Sequence, residues 1–194
     1  MSTAPAPAAG DRHAADHLVA LSDKVADHLL ARTLPKSRWT HEGHLLACIS
    51  LVRRYGAADA LAMMRAAIPP YNESTGVANT PTSGYHDTIT VYFVWAIARL
   101  VDAGASTSVM LWHPTCEREA LLSWWDRATL MSPAARAAWT PPALAGDGGE
   151  APREWLRPDV TIRARGVVAA ALTAARVDGR TVAASACRAA WRPV

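Results

Sequence analysis

Apolar residues recur along this chain at helical rather than strand spacing. Leu18, Leu21, Val25, Leu29 and Leu30 keep one face apolar and predict a helix over residues 14–32. Leu34-Pro35-Lys36 interrupts it, because the residue before a proline avoids helical dihedrals. Thr40 suits the N-cap of a second helix over about 40–55, with Leu45, Ile49 and Val52 facing inward and Tyr55-Gly56 as its end. Residues 58–68, rich in Ala, Met and Leu, predict a third helix stopped by Pro69-Pro70. A polar loop over 69–80 follows. Thr80-Pro81 then offers a cap with proline at the first helical position, and Ile89, Tyr92, Phe93, Ala96, Ile97 and Leu100 carry a helix to about Asp102, ended by Gly104. Pro114-Thr115 predicts a helix over about 116–130, and Ser132-Pro133 a short one ending near Trp139. No segment alternates as a strand. The expectation is an all-α fold, a single helical bundle of about five helices with a long loop and a loosely attached C-terminal tail.

Composition adds boundaries to this pattern. At 194 residues and 51% apolar content the chain can bury one core. Eight Trp against one Phe make the large ring volume mostly indole, whose N–H needs a partner when buried. Residues 1–10 are Ala/Pro-rich and expected to be disordered, 11–142 form the helical domain, 143–158 are a Gly/Pro-rich linker and 159–194 an Ala/Arg-rich tail. The net charge of +3 is mild and uneven, since residues 151–194 alone hold eight Arg against three acids. A nucleic-acid role for that tail is disfavoured, because its only aromatic residues are Trp155 and Trp191. Cys48, Cys116 and Cys187 form neither a disulfide framework nor a metal knuckle, and Cys48 reads as a small buried hydrophobe. The chain opens without a charged n-region or apolar h-region, and no run reaches membrane-span length. A cytoplasmic protein without membrane contact is expected.

The candidate chemistry lies in two stretches. In Trp39-Thr40-His41-Glu42-Gly43-His44-Leu45, His41 and His44 are three residues apart and so neighbours on one helix face. In Gly84-Tyr85-His86-Asp87-Thr88, a third histidine opens the next long apolar segment. His41, His44 and His86 together suit a divalent transition metal held by neutral imidazoles with open positions for water or substrate. Glu42 and Asp87 are the candidate base or ligand-orienting acids and Tyr85 a further catalytic candidate, while Tyr71 and Asn72 in the loop are candidate substrate contacts. That set implies a metal-dependent enzyme acting on a small molecule, hydrolytic or oxidative. The competing reading is a non-catalytic helical ligand-binding or interaction module with a His/Trp-lined pocket. Taken singly, each histidine is more simply a residue that caps a helix start and bonds to backbone groups. The spacing is one residue short of HExxH, so that zinc mechanism does not transfer. His86-Asp87 is similar to the adjacent pair of HD-type phosphohydrolases, but the next acid, Asp102, lies roughly 24 Å along the same helix at about 1.5 Å per residue, too far to share an ion. No Gly-rich phosphate loop and no Gly-x-Ser-x-Gly elbow occurs.

The pattern Leu34-Pro35-Lys36-x-x-Trp39-Thr40-His41-x-x-His44-Leu45, Tyr71-Asn72, and Asn79-Thr80-Pro81-x-x-Gly84-Tyr85-His86-x-Thr88 resembles a widespread group of small bacterial helical proteins without assigned function. Ser132-Pro133-x-x-Arg136-x-x-Trp139 is similar to that group's C-terminal element. The resemblance spans roughly residues 15–144 and implies a small helical protein, with no activity attached. It departs after Trp139, where Thr140-Pro141-Pro142-Ala143-Leu144 stand in place of that group's acidic residue and Asp-Leu.

Overall fold

The computed structural model describes residues 9–144, so the first eight residues, most of the linker and the whole tail lie outside the described residues. Six α-helices follow one another: α1 (Ala9–Leu30), α2 (His41–Ser74), α3 (Asp87–Asp102), α4 (Thr107–Leu111), α5 (Arg127–Leu130) and α6 (Pro133–Ala137). Three tight 3₁₀ turns, Lys36–Arg38, Pro114–Cys116 and Arg118–Ser123, sit between them. The fold is all-α, with no named strand among the described residues.

The periodic positions do what the sequence expects of them. Val25, Leu29 and Leu30 of α1, Leu45, Ile49 and Val52 of α2 and Ile97 of α3 are buried in one core, Tyr92 and Ala96 of α3 are buried in a second, and Ile89, Phe93 and Leu100 are partly buried against them. Helices α1 and α3 both pack on α2, which is therefore the centre of the bundle. Thr40 is the N-cap of α2, with its hydroxyl accepting from the Gly43 N–H at 3.2 Å. Gly56 breaks α2 into two segments at φ +77° and ψ 167°, a region essentially restricted to glycine.

Three elements differ from the expectation. Pro69-Pro70 does not stop α2, which continues to Ser74. The extra turn is held by tertiary contacts that outweigh the two lost backbone donors. Tyr71 is fully buried and its hydroxyl donates to the Leu34 carbonyl at 3.2 Å, and the Asn79 amide donates to the Pro69 carbonyl at 2.9 Å. The loop consequently comes later, over 75–86, at the same length as expected. Likewise Thr80-Pro81 does not open α3. Thr80 pairs with Ser83 in a turn, and the N-cap of α3 is His86. Gly84, at φ +76°, separates the two, and a Cβ there would lie 2.6 Å from the Ala78 carbonyl oxygen. The expected helix over 116–130 is instead a pair of 3₁₀ turns followed by the short α5. Extended backbone at Glu117 interrupts it, and its Trp residues build a second core.

That second core lies on the other side of α3. Tyr92, Trp95, Trp124 and Trp125 meet edge-on or tilted at centroid distances of 5.6–6.0 Å. Trp139 closes on Trp125 at 5.6 Å. The buried Trp125 N–H donates to the Thr140 carbonyl, so the segment after α6 stays packed despite its departure from the resembling group. Ser132 caps α6 with Pro133 at its first position, as the sequence indicates.

Candidate functional site

The two histidine motifs come out differently. Gly84 to Thr88 form a structural joint between α2, α3 and α6. The Arg136 guanidinium donates to the Gly84 and Tyr85 carbonyls at 3.0 and 3.1 Å. His86 caps α3 by accepting the Ile89 N–H at Nδ1, 3.4 Å away, and donates from Nε2 to the Leu130 carbonyl at 2.9 Å. Both of its ring nitrogens are therefore occupied, and burial, with Arg136 beside it, holds its pKa below the usual histidine range. Asp87 receives a bidentate ion pair from Arg65, at 2.7 and 2.8 Å, and the Tyr85 hydroxyl at 2.7 Å. Thr88 donates to the Ala138 carbonyl and accepts from the Thr140 N–H, both at 3.0 Å.

The start of α2 is arranged otherwise. His41 donates from Nε2 to the Cys116 carbonyl at 2.7 Å, and its ring meets Phe93 edge-on. His44 donates from Nδ1 to the Thr40 carbonyl at 2.6 Å and stacks on Trp39 at 3.6 Å between centroids. This bond fixes the tautomer and leaves Nε2 as a bare lone pair, with no hydrogen bond to it among the described residues. Burial pushes the His44 pKa down to about 4 against the opposing Thr40 bond, and His41 and Arg118 push the same way. The ring is thus neutral near pH 7. Gly43 permits this arrangement, since a Cβ on it would run into the Arg38 carbonyl oxygen.

Two adjoining clefts meet at this ring. The first, of about 460 Å³, runs past Lys36, Asn72, Tyr85 and His86. The second, of about 600 Å³, runs past His41, Phe93, Arg118, Arg127 and Met131. Trp39, His44 and Ile89 line both. Their volumes fall within the range of small-molecule sites, about 300–1,000 Å³.

The expected site residues therefore separate. His41 and His44 share the second cleft and His44 and His86 the first, but both ring nitrogens of His86 are already committed. Among the described residues no three His, Cys, Asp or Glu side chains are grouped closely enough to hold a metal ion, so the three imidazoles do not form one ligand set. Glu42 is exposed, accepts from the Thr40 hydroxyl at 2.7 Å and lines neither cleft; that bond holds its carboxyl below the usual range. Asp87 lines neither cleft, being enclosed by Arg65 and Tyr85. Tyr71 lies in the core rather than in the loop, whereas Asn72 borders the first cleft and donates to the Asn79 side chain. Tyr85 borders the first cleft with its hydroxyl turned to Asp87, and burial raises its pKa. Trp39, Arg118 and Arg127 were not among the expected site residues. Trp39 stood in the motif, but the arginines come from a segment whose backbone the periodicity misread. No family model, curated protein or solved structure matches the chain.

Proposed function

We propose that the chain is a helical small-molecule-binding module whose recognition centre is His44 on Trp39. One observation carries this reading: a neutral imidazole that lines both clefts, locked in one tautomer by the Thr40 carbonyl, with no hydrogen bond to its Nε2 among the described residues. A bare nitrogen at the edge of an apolar cleft accepts a hydrogen bond from a ligand N–H or O–H, and the indole face covers a flat ring. The metal-dependent enzyme reading asks more of the same residues. His86 joins an ion only by giving up Leu130 or Ile89, and neither Glu42 nor Asp87 borders the clefts to act as base.

The test is a fluorescence titration of the full chain with phenylnaphthylamine, a neutral aromatic amine with one N–H. Saturable one-to-one binding is expected, weakened about tenfold in His44→Leu, the equivalent of a hydrogen bond of about 1.4 kcal/mol. Equal binding by wild type and His44→Leu defeats the proposal. Saturable zinc binding abolished by His44→Ala and by His86→Ala in folded protein would restore the metal reading.

A further inference from the structure

The walls of the clefts are apolar, yet their charges are not balanced. Lys36 borders the first cleft, and Arg118 and Arg127 border the second; among the described residues the only acid lining either is Glu119, while Glu42, outside both clefts, also feels Arg118. Lys36 spends one hydrogen bond on the Thr75 carbonyl. Arg118 and Arg127 are exposed and make no salt bridge among the described residues, where the two ion pairs are Arg54–Asp27 and Arg65–Asp87. Arg118 is also close enough to His44 to disfavour its protonation. The cations and the acceptor nitrogen therefore belong to one electrostatic neighbourhood. Around them the second cleft presents Phe93, Leu121, Leu122, Leu130 and Met131, and Leu122 and Met131 are exposed. A largely apolar trough with the His44 acceptor and two guanidinium groups against one carboxylate fits one ligand chemistry.

We infer that the ligand is an amphipathic anion, in which a flat or aliphatic apolar body lies along Trp39 and the second cleft. Its carboxylate, sulfonate or phosphomonoester group meets Arg118 and Arg127. Guanidinium forks recognise planar and tetrahedral oxyanions alike, so the shared feature is the oxyanion beside the apolar body. Glu119 opposes the anion and sets an upper limit on the preference. This inference rests on the reading of His44 as the recognition centre.

The test compares two dyes that differ by one group. Phenylnaphthylamine reports the cleft itself, and anilinonaphthalene sulfonate adds an anion to the same body. With the native full chain at low salt, the sulfonate is expected to bind about tenfold more tightly than the neutral dye. In Arg118→Gln/Arg127→Gln that advantage disappears, the ratio of the two affinities falling to about one; in Glu119→Gln it grows. Added salt erases it in the wild type. All three substituted residues are exposed, and an unchanged near-UV circular dichroism spectrum checks that each variant is folded. Equal affinity for both dyes, or a sulfonate advantage that survives the double substitution, overturns the anion inference and leaves the cleft reading standing. Absence of saturable binding by either dye overturns both.

Discussion

Replacing His86 separates a structural histidine from a ligand-binding one. In His86→Ala two interactions vanish together: the cap on the Ile89 N–H and the bond to the Leu130 carbonyl. Loss of an N-cap costs about 1 kcal/mol. A buried carbonyl left without a partner costs about 1–3 kcal/mol. The sum, roughly 2–4 kcal/mol, is expected as a lower denaturant midpoint with unchanged slope. At about 2–4 °C per kcal/mol for a chain of this size it corresponds to a melting point lower by roughly 5–15 °C. His86→Asn restores a good cap but is too short to replace the ring at Leu130, so it should recover about 1 kcal/mol. Thermal and urea unfolding of the three proteins decide the matter. A His86→Ala protein within about 0.5 kcal/mol of wild type, the range of neutral surface changes, would refute the assignment of Gly84–Thr88 as a joint.

Further outcomes follow from other contacts. Asp87→Ala should destabilise by about 2–4 kcal/mol in urea unfolding, less than a fully enclosed pair would, because the Arg65 partner is about a third exposed. Gly43→Ala and Gly56→Ala should each lose about 1–3 kcal/mol by the same assay for different reasons. The first drives a methyl group into the Arg38 carbonyl, and the second forces an unfavourable backbone region with open space around it. The pH dependence has a definite sign. The unfolded His44 ring takes up a proton near pH 6.5 and the folded ring only near 4, so stability is full above about 6.5 and is lost as pH falls towards 4. His86 acts in the same direction. Melting curves of His44→Leu should therefore be flatter across that window than those of the wild type, and an equal slope would contradict the burial of the neutral ring.

Local signals were legible in the sequence where the chain itself supplies the cause. Thr40, Gly56, Gly104 and Ser132-Pro133 mark real helix ends because a hydroxyl cap, a positive φ or a proline ring acts within a few residues. The all-α fold follows from the apolar periodicity of α1, α2 and α3. Pro69-Pro70 misled because Tyr71 reaches Leu34 outside the helix and Asn79, beyond the helix end, reaches back to the Pro69 carbonyl. His86 was misplaced because histidine is an uncommon cap and its second partner, Leu130, lies 44 residues away. Of the site, the His41–His44 spacing and the flanking Trp39 were readable. Which ring nitrogen is left without a partner was not, since that depends on the Thr40 and Cys116 carbonyls.

On the proposed reading His44, alone of the three motif histidines, offers its Nε2 to a ligand. Long-range nitrogen–proton spectra of the imidazole rings, recorded with and without phenylnaphthylamine, test it directly. In the free protein His44 should show the Nδ1–H tautomer and His86 the Nε2–H tautomer. On titration the His44 Nε2 resonance should move and both His86 nitrogens should hold still. A His44 ring protonated at Nε2, or a ligand-induced shift at His86 with none at His44, would contradict the account.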